Sequence, residues 1–170
     1  MRRVILFVIA GLCMGSVTVG QTGATSTKAV DPIIGSWKLN ISSSKISPVL
    51  RQMFKVAPPK QQTEVYRVTS DRQIELTGAF TGTDGSSLSS KVVFPAEGGI
   101  AQQTNSQPGE SAVETRVSPR EWYVTFMKDG KQTLTMHKVI STDGQTMRQT
   151  VAGVDSQGKA FEEVRVYERQ

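Results

Sequence analysis

The chain has 170 residues, with 20 Lys and Arg against 15 Asp and Glu, a formal net charge of +5, one histidine and one cysteine. That is one domain's worth of chain, large enough for a self-sufficient core. The single cysteine, Cys13, falls in the leader described next, and His137 stands alone. Disulfides, zinc–thiolate sites, iron–sulfur clusters and a thiol nucleophile are therefore excluded from the remainder, and no metal site, cofactor or catalytic set is expected.

Residues 1–24 carry the three-part pattern of a secretory signal. Arg2 and Arg3 form the positive end, Val4 to Met14 an apolar run, and Thr22-Gly23-Ala24 a small-residue cleavage site, with Thr18-Val19-Gly20 as the alternative. Ala10-Gly11-Leu12-Cys13 departs from a lipoprotein box, in which Gly or Ala precedes the cysteine, so anchoring at Cys13 is not expected. The expected destination is the periplasm or the extracellular space. No later run approaches the ~20 apolar residues of a membrane-spanning helix.

Loss of Arg2 and Arg3 would lower the formal charge to +3. The remaining basic residues are interleaved with acids such as Glu64, Glu75, Glu114 and Glu162, which gives no stripe for a phosphate backbone; nucleic acid is not an expected partner. Residues 25–30 are small and polar and read as a flexible leader to a single domain over 31–170.

From Asp31 onward, short runs rich in Val, Thr, Phe, Tyr and Ile alternate with turn residues. The predicted strands are 36–42, 62–69, 73–80, 87–94, 100–104, 112–118, 121–128, 132–141, 146–154 and 159–169. Asp129-Gly130, Thr142-Asp143-Gly144 and Thr83-Asp84-Gly85 are tight-turn sequences, because Gly and Asp tolerate positive φ, so consecutive strands should be antiparallel neighbours. Such a meander leaves exposed edges unless it closes. The expected fold is thus all-β: an antiparallel up-and-down barrel of eight to ten strands.

Alternation predicts Trp37, Leu39 and Ile41 on one face of the first strand, and Trp122, Val124 and Phe126 on one face of a central strand whose other face carries Tyr123. Leu134, Met136 and Ile140 likewise oppose His137. Between the first two strands, Ser47 can cap a helix and Pro48 suits its first turn. Val49, Leu50, Met53 and Phe54 make an apolar stripe, and Pro58-Pro59 provides a stop. This short helix should cover the open end of the barrel, either as a plug completing the core or as a lid.

The segment Gly35-Ser36-Trp37-Lys38-Leu39-Asn40, followed by Ser44-Lys45-Ile46-Ser47-Pro48, resembles the opening of calycins, the lipocalins and fatty-acid-binding proteins. It is most similar to secreted bacterial lipocalin-like proteins of unassigned function. The closing Val164-Arg165-Val166-Tyr167-Glu168-Arg169 resembles the last strand of fatty-acid-binding proteins, whose Arg-x-Tyr pair grips a carboxylate. The resemblance implies that first and last strands meet. It leaves two roles open for Arg165: stacking on Trp37, beside Gly35, to close the barrel base, or pointing into the lumen with Tyr167 toward a ligand. Glu163 shares that face and could neutralise the guanidinium. The helix distinguishes this chain from fatty-acid-binding proteins, which carry two.

No Gly-x-Ser-x-Gly elbow, dinucleotide loop or phosphate loop is present, and Glu162 and Glu163 point to opposite faces of one strand. Asn40-Ile41-Ser42 matches a glycosylation sequon by pattern only. The implied function is that of an exported, monomeric, non-catalytic carrier of a small hydrophobic or amphiphilic ligand. Trp122 or Tyr123, Phe126, Leu134 or His137, Arg165, Tyr167, Leu50 and Phe54 are the candidate contacts. A barrel with a filled interior, acting through its outer face on other proteins of the cell envelope, is the competing expectation. An enzyme would require His137 to meet a carboxylate inside the barrel.

Overall fold

The computed structural model describes residues 30–103, 108–155 and 157–170, the side chain of Phe54 excepted. The predicted signal, most of the leader and Thr104 lie outside the described residues. Ten strands and one helix follow in the order β1 (Gly35–Leu39), α1 (Pro48–Phe54), β2 (Pro59–Val68), β3 (Gln73–Gly82), β4 (Ser87–Pro95), β5 (Gly98–Gln103), β6 (Glu110–Ser118), β7 (Glu121–Lys128), β8 (Lys131–Ile140), β9 (Thr146–Val154) and β10 (Ala160–Arg169). Every strand pairs antiparallel with its sequence neighbour, and β1 pairs with both β2 and β10, which closes the barrel.

Turn chemistry sets this meander. Asp129 and Gly130 both take positive φ, 49° and 75°, so the β7–β8 hairpin turns in the sense that matches strand twist. The first strand ends earlier than predicted, at Leu39: the Asn40 N–H still donates to Val166 O of β10, but the Asn40 side-chain oxygen accepts from Ser42 Oγ and from the Ser43 N–H and turns the chain out of the strand. Ile41 therefore does not continue the Trp37–Leu39 face and is exposed.

The helix starts as predicted: Ser47 accepts from the Val49 N–H at 3.1 Å, with Pro48 in the first turn. Its end differs. Lys55 adopts a left-handed conformation (φ 52°) and donates to Gln52 O, while Val56 donates to Arg51 O; the double proline only follows, and Pro59 opens β2. Leu50 is the stripe residue that is buried, against Leu134 and Val151, whereas Met53 faces solvent.

One end of the barrel is filled. Trp37, Tyr66, Ile74, Phe94, Trp122, Met147 and Tyr167 are all buried there, capped by Ile33 from the segment ahead of β1. Two arginines tie that segment down. Arg169 stacks over the Trp37 ring at 4.2 Å and donates to Gly144 O, Ile34 O and Pro32 O at 2.6, 2.8 and 2.5 Å. Arg116 stacks over Trp122 at 5.0 Å and pairs with Asp31 at 2.7 Å. The expected closure by Trp37 and Arg165 is corrected in its second member: the register pairs Trp37 with Arg169, four residues on. Gly35 serves that contact, since a Cβ there would run into the Arg169 guanidinium.

Candidate functional site

Above the filled end, the lumen opens into a cavity of about 440 Å³. Leu50 and Arg51 of α1 and the flanking Ile46 and Val56 border it on one side, and β2–β4 on the other. A smaller space of about 60 Å³ continues inward, lined by Tyr66, Val124, Phe126, Met136 and Lys138, and shares Glu64, Leu76 and Gln103 with the larger one. A wider open groove of about 950 Å³ at the closed end, around Asp31 and Arg116, shares no lining residue with the lumen.

Period-two alternation brings a polar cluster to the inner face at the boundary between cavity and core. From β2 come Glu64 and Tyr66, from β6 Glu114, from β8 Lys138, from β9 Gln149, and from β10 Glu163, Arg165 and Tyr167. Tyr66 donates to Glu64 Oε2 at 2.6 Å, and Gln149 Nε2 donates to the same oxygen at 2.8 Å. Lys138 and Glu114 form a buried ion pair at 3.3 Å, with the ammonium also 5.6 Å from the Tyr66 and Phe94 ring centroids. Arg165 binds Glu163 through Nε, and the other Glu163 oxygen accepts from the Ser47 N–H at 2.8 Å, which fastens the start of α1 to the barrel wall.

Burial, with Glu64 beside them, holds both the Tyr66 and the Tyr167 phenol well above their usual range. Burial works against the charge on Arg165, yet Tyr167 and Glu163 outweigh it and hold the guanidinium above its ordinary value. The Tyr167 hydroxyl, although next to Glu64 and Arg165, completes no hydrogen bond, and neither does Gln149 Oε1.

The expected contact residues separate into three groups. Arg165 and Leu50 line the main cavity and Phe126 the inner one, while Phe54 cannot be placed because its side chain lies outside the described residues. Tyr167, Trp122 and Leu134 point inward but belong to the packed core. Tyr123 and His137 are corrected: both stand on the outer face, their rings stacked at 4.3 Å, with His137 Nε2 2.8 Å from Glu121 Oε1. The carboxylate that would have supported an enzyme thus meets the histidine outside the barrel. No group of three or more metal-ligating side chains is present among the described residues.

Sequence reasoning missed Glu64, Glu114, Lys138 and Gln149, which looked like ordinary surface residues. The signal was available for Lys138, which continues the Leu134, Met136, Ile140 face. For Glu64 it pointed the wrong way, because its neighbours Thr63 and Val65 are the better barrel-interior residues by hydrophobicity.

A closed ten-strand antiparallel ring with its helix between the first two strands decides the architecture. This is a calycin-like barrel. No family model and no curated protein matches the sequence. Among solved structures, the barrel is similar to the fluorescent protein UnaG, at 16% identity and TM-score 0.53, covering 81% of this chain and 96% of that one. It is similar also to a Schistosoma mansoni fatty acid binding protein solved with arachidonic acid, at 19% identity and TM-score 0.53, covering 82% and 96%. At these identities the likeness concerns the calycin-like fold.

Proposed function

We propose that the protein is an exported, non-catalytic binder of a small hydrophobic or amphiphilic molecule held in the upper lumen. The observation that carries this reading is the cavity of about 440 Å³, walled by Leu50, Val56, Leu76, Phe80 and Leu88 with polar groups at its floor. Its size and its few convergent polar groups are those of small-molecule sites. The structural neighbour that holds arachidonic acid in the same kind of barrel supports the choice of ligand class. Residues 1–24 act as the signal that delivers the protein outside the cytoplasm, where it works as a monomer. The filled-barrel alternative suits only the closed end, where the packed aromatic residues fill the interior.

The test is native mass spectrometry of protein purified from its own host, together with titration of the neutral probe N-phenyl-1-naphthylamine. A co-purifying small molecule and a saturable rise in probe fluorescence are expected. A bare polypeptide mass with no fluorescence change would favour the outer-face interaction module instead.

A further inference from the structure

The floor of the cavity carries three acidic side chains, Glu64, Glu114 and Glu163, against two cations, Lys138 and Arg165, while a further cation, Arg51 of α1, borders the cavity above them. Both floor cations are already committed to an acid: Lys138 to Glu114, and Arg165 to Glu163. Among the described residues no cation lies within ion-pair distance of Glu64. Its Oε2 accepts from Tyr66 and Gln149, no hydrogen bond reaches Oε1, and Glu64 lines both lumen spaces. The neighbouring Gln149 Oε1 is a second buried acceptor without a donor. The floor therefore has one formal negative charge too many.

We infer that the cavity selects an amphiphile with a cationic or hydrogen-bond-donating head group, a primary alkylamine rather than a fatty acid, anchored on Glu64. An ammonium placed there brings the formal charge of the floor to zero, whereas a carboxylate doubles the excess in a poorly solvated space. Arg165 does not reverse this preference. Its charge is balanced by Glu163, which is itself fixed by the Ser47 N–H, so a ligand carboxylate reaching the free end of the guanidinium would still face Glu163 and Glu64. The apolar chain would run upward past Leu76 toward Leu50 and Val56.

This inference rests on the lumen being a ligand site, and the experiment separates the two. N-phenyl-1-naphthylamine is bound to the full chain at pH 7 and displaced by dodecylamine, dodecan-1-ol and dodecanoic acid, each below its solubility or micelle limit. The amine is expected to displace the probe at a concentration about tenfold or more below that of the acid, the size of one charge-assisted hydrogen bond, with the alcohol between them. Glu64→Gln keeps an acceptor for Tyr66 but removes the charge, and should collapse the preference. Gln62→Lys, on the same face of β2 and also lining the cavity, leaves the buried network intact and supplies Glu64 with a cation; it should shift the preference toward the acid. An acid that displaces as well as the amine in the wild type, or a preference unchanged in both variants, overturns the inference while the lumen reading stands. Absence of probe binding altogether overturns both.

Discussion

Trp37→Leu combined with Arg169→Met tests whether the barrel is closed by the pair observed here. Arg169 makes three charge-assisted hydrogen bonds to backbone carbonyls as well as its stacking contact. Bonds to a charged group contribute about 1.5–3 kcal/mol each when isolated. These three share one partly exposed guanidinium and the freed carbonyls can turn to water, so about 3–4 kcal/mol is expected for Arg169→Met. That is a large fraction of the ~5–15 kcal/mol stability of an ordinary domain. The Trp37-specific part is smaller, about 0.5–2 kcal/mol for a cation over an indole. Urea unfolding followed by far-ultraviolet circular dichroism on wild type, both single variants and the double variant gives this part as a coupling energy. The same cycle with Arg165→Met should give additivity within about 0.3–0.5 kcal/mol, because Arg165 faces the cavity and binds Glu163 instead. Coupling of Trp37 to Arg165 and none to Arg169 would refute the register, and with it the position of every inward residue on β10.

Lys138→Met should cost about 3–5 kcal/mol by stranding buried Glu114, and Lys138→Met with Glu114→Leu should recover most of it; thermal melts compare the two. Leu76→Trp should fill the passage shared by the two lumen spaces and abolish N-phenyl-1-naphthylamine binding, with overpacking costing about 1–3 kcal/mol in urea titrations. Because the folded-state phenols of Tyr66 and Tyr167 are raised above the unfolded value of 10.0, their contribution to stability is full below that pH and disappears as pH rises through the folded-state values. Urea midpoints should therefore fall above about pH 10, and absorbance at 295 nm should show their ionisation accompanying unfolding; full ionisation of these phenols at pH 10 in the folded protein would contradict their burial.

Much of the fold was legible because its determinants are local. Asp-Gly turns, alternating strands, the Ser47-Pro48 helix start and the tryptophan of the first strand each act within a few residues, and an uninterrupted meander of this kind has to close to satisfy its edges. The site was legible only in part. Alternation predicts that Trp122 opposes Tyr123 and Leu134 opposes His137, but not which member faces inward where both faces carry large side chains. The structure puts Tyr123 and His137 outside.

By itself, the order of residues determined an antiparallel up-and-down barrel of eight to ten strands with one short helix, since each hairpin is set by its own turn. Tertiary structure alone decided that Arg169 rather than Arg165 stacks on Trp37, that Lys138 and Glu114 meet inside, and that Glu64 lies on the cavity floor with no cation at ion-pair distance among the described residues. Those outcomes depend on the register between β1 and β10 and on strands far apart in the chain. A shift of a single residue exchanges the two faces of a strand, so the register that fixes them emerges only when the ring shuts.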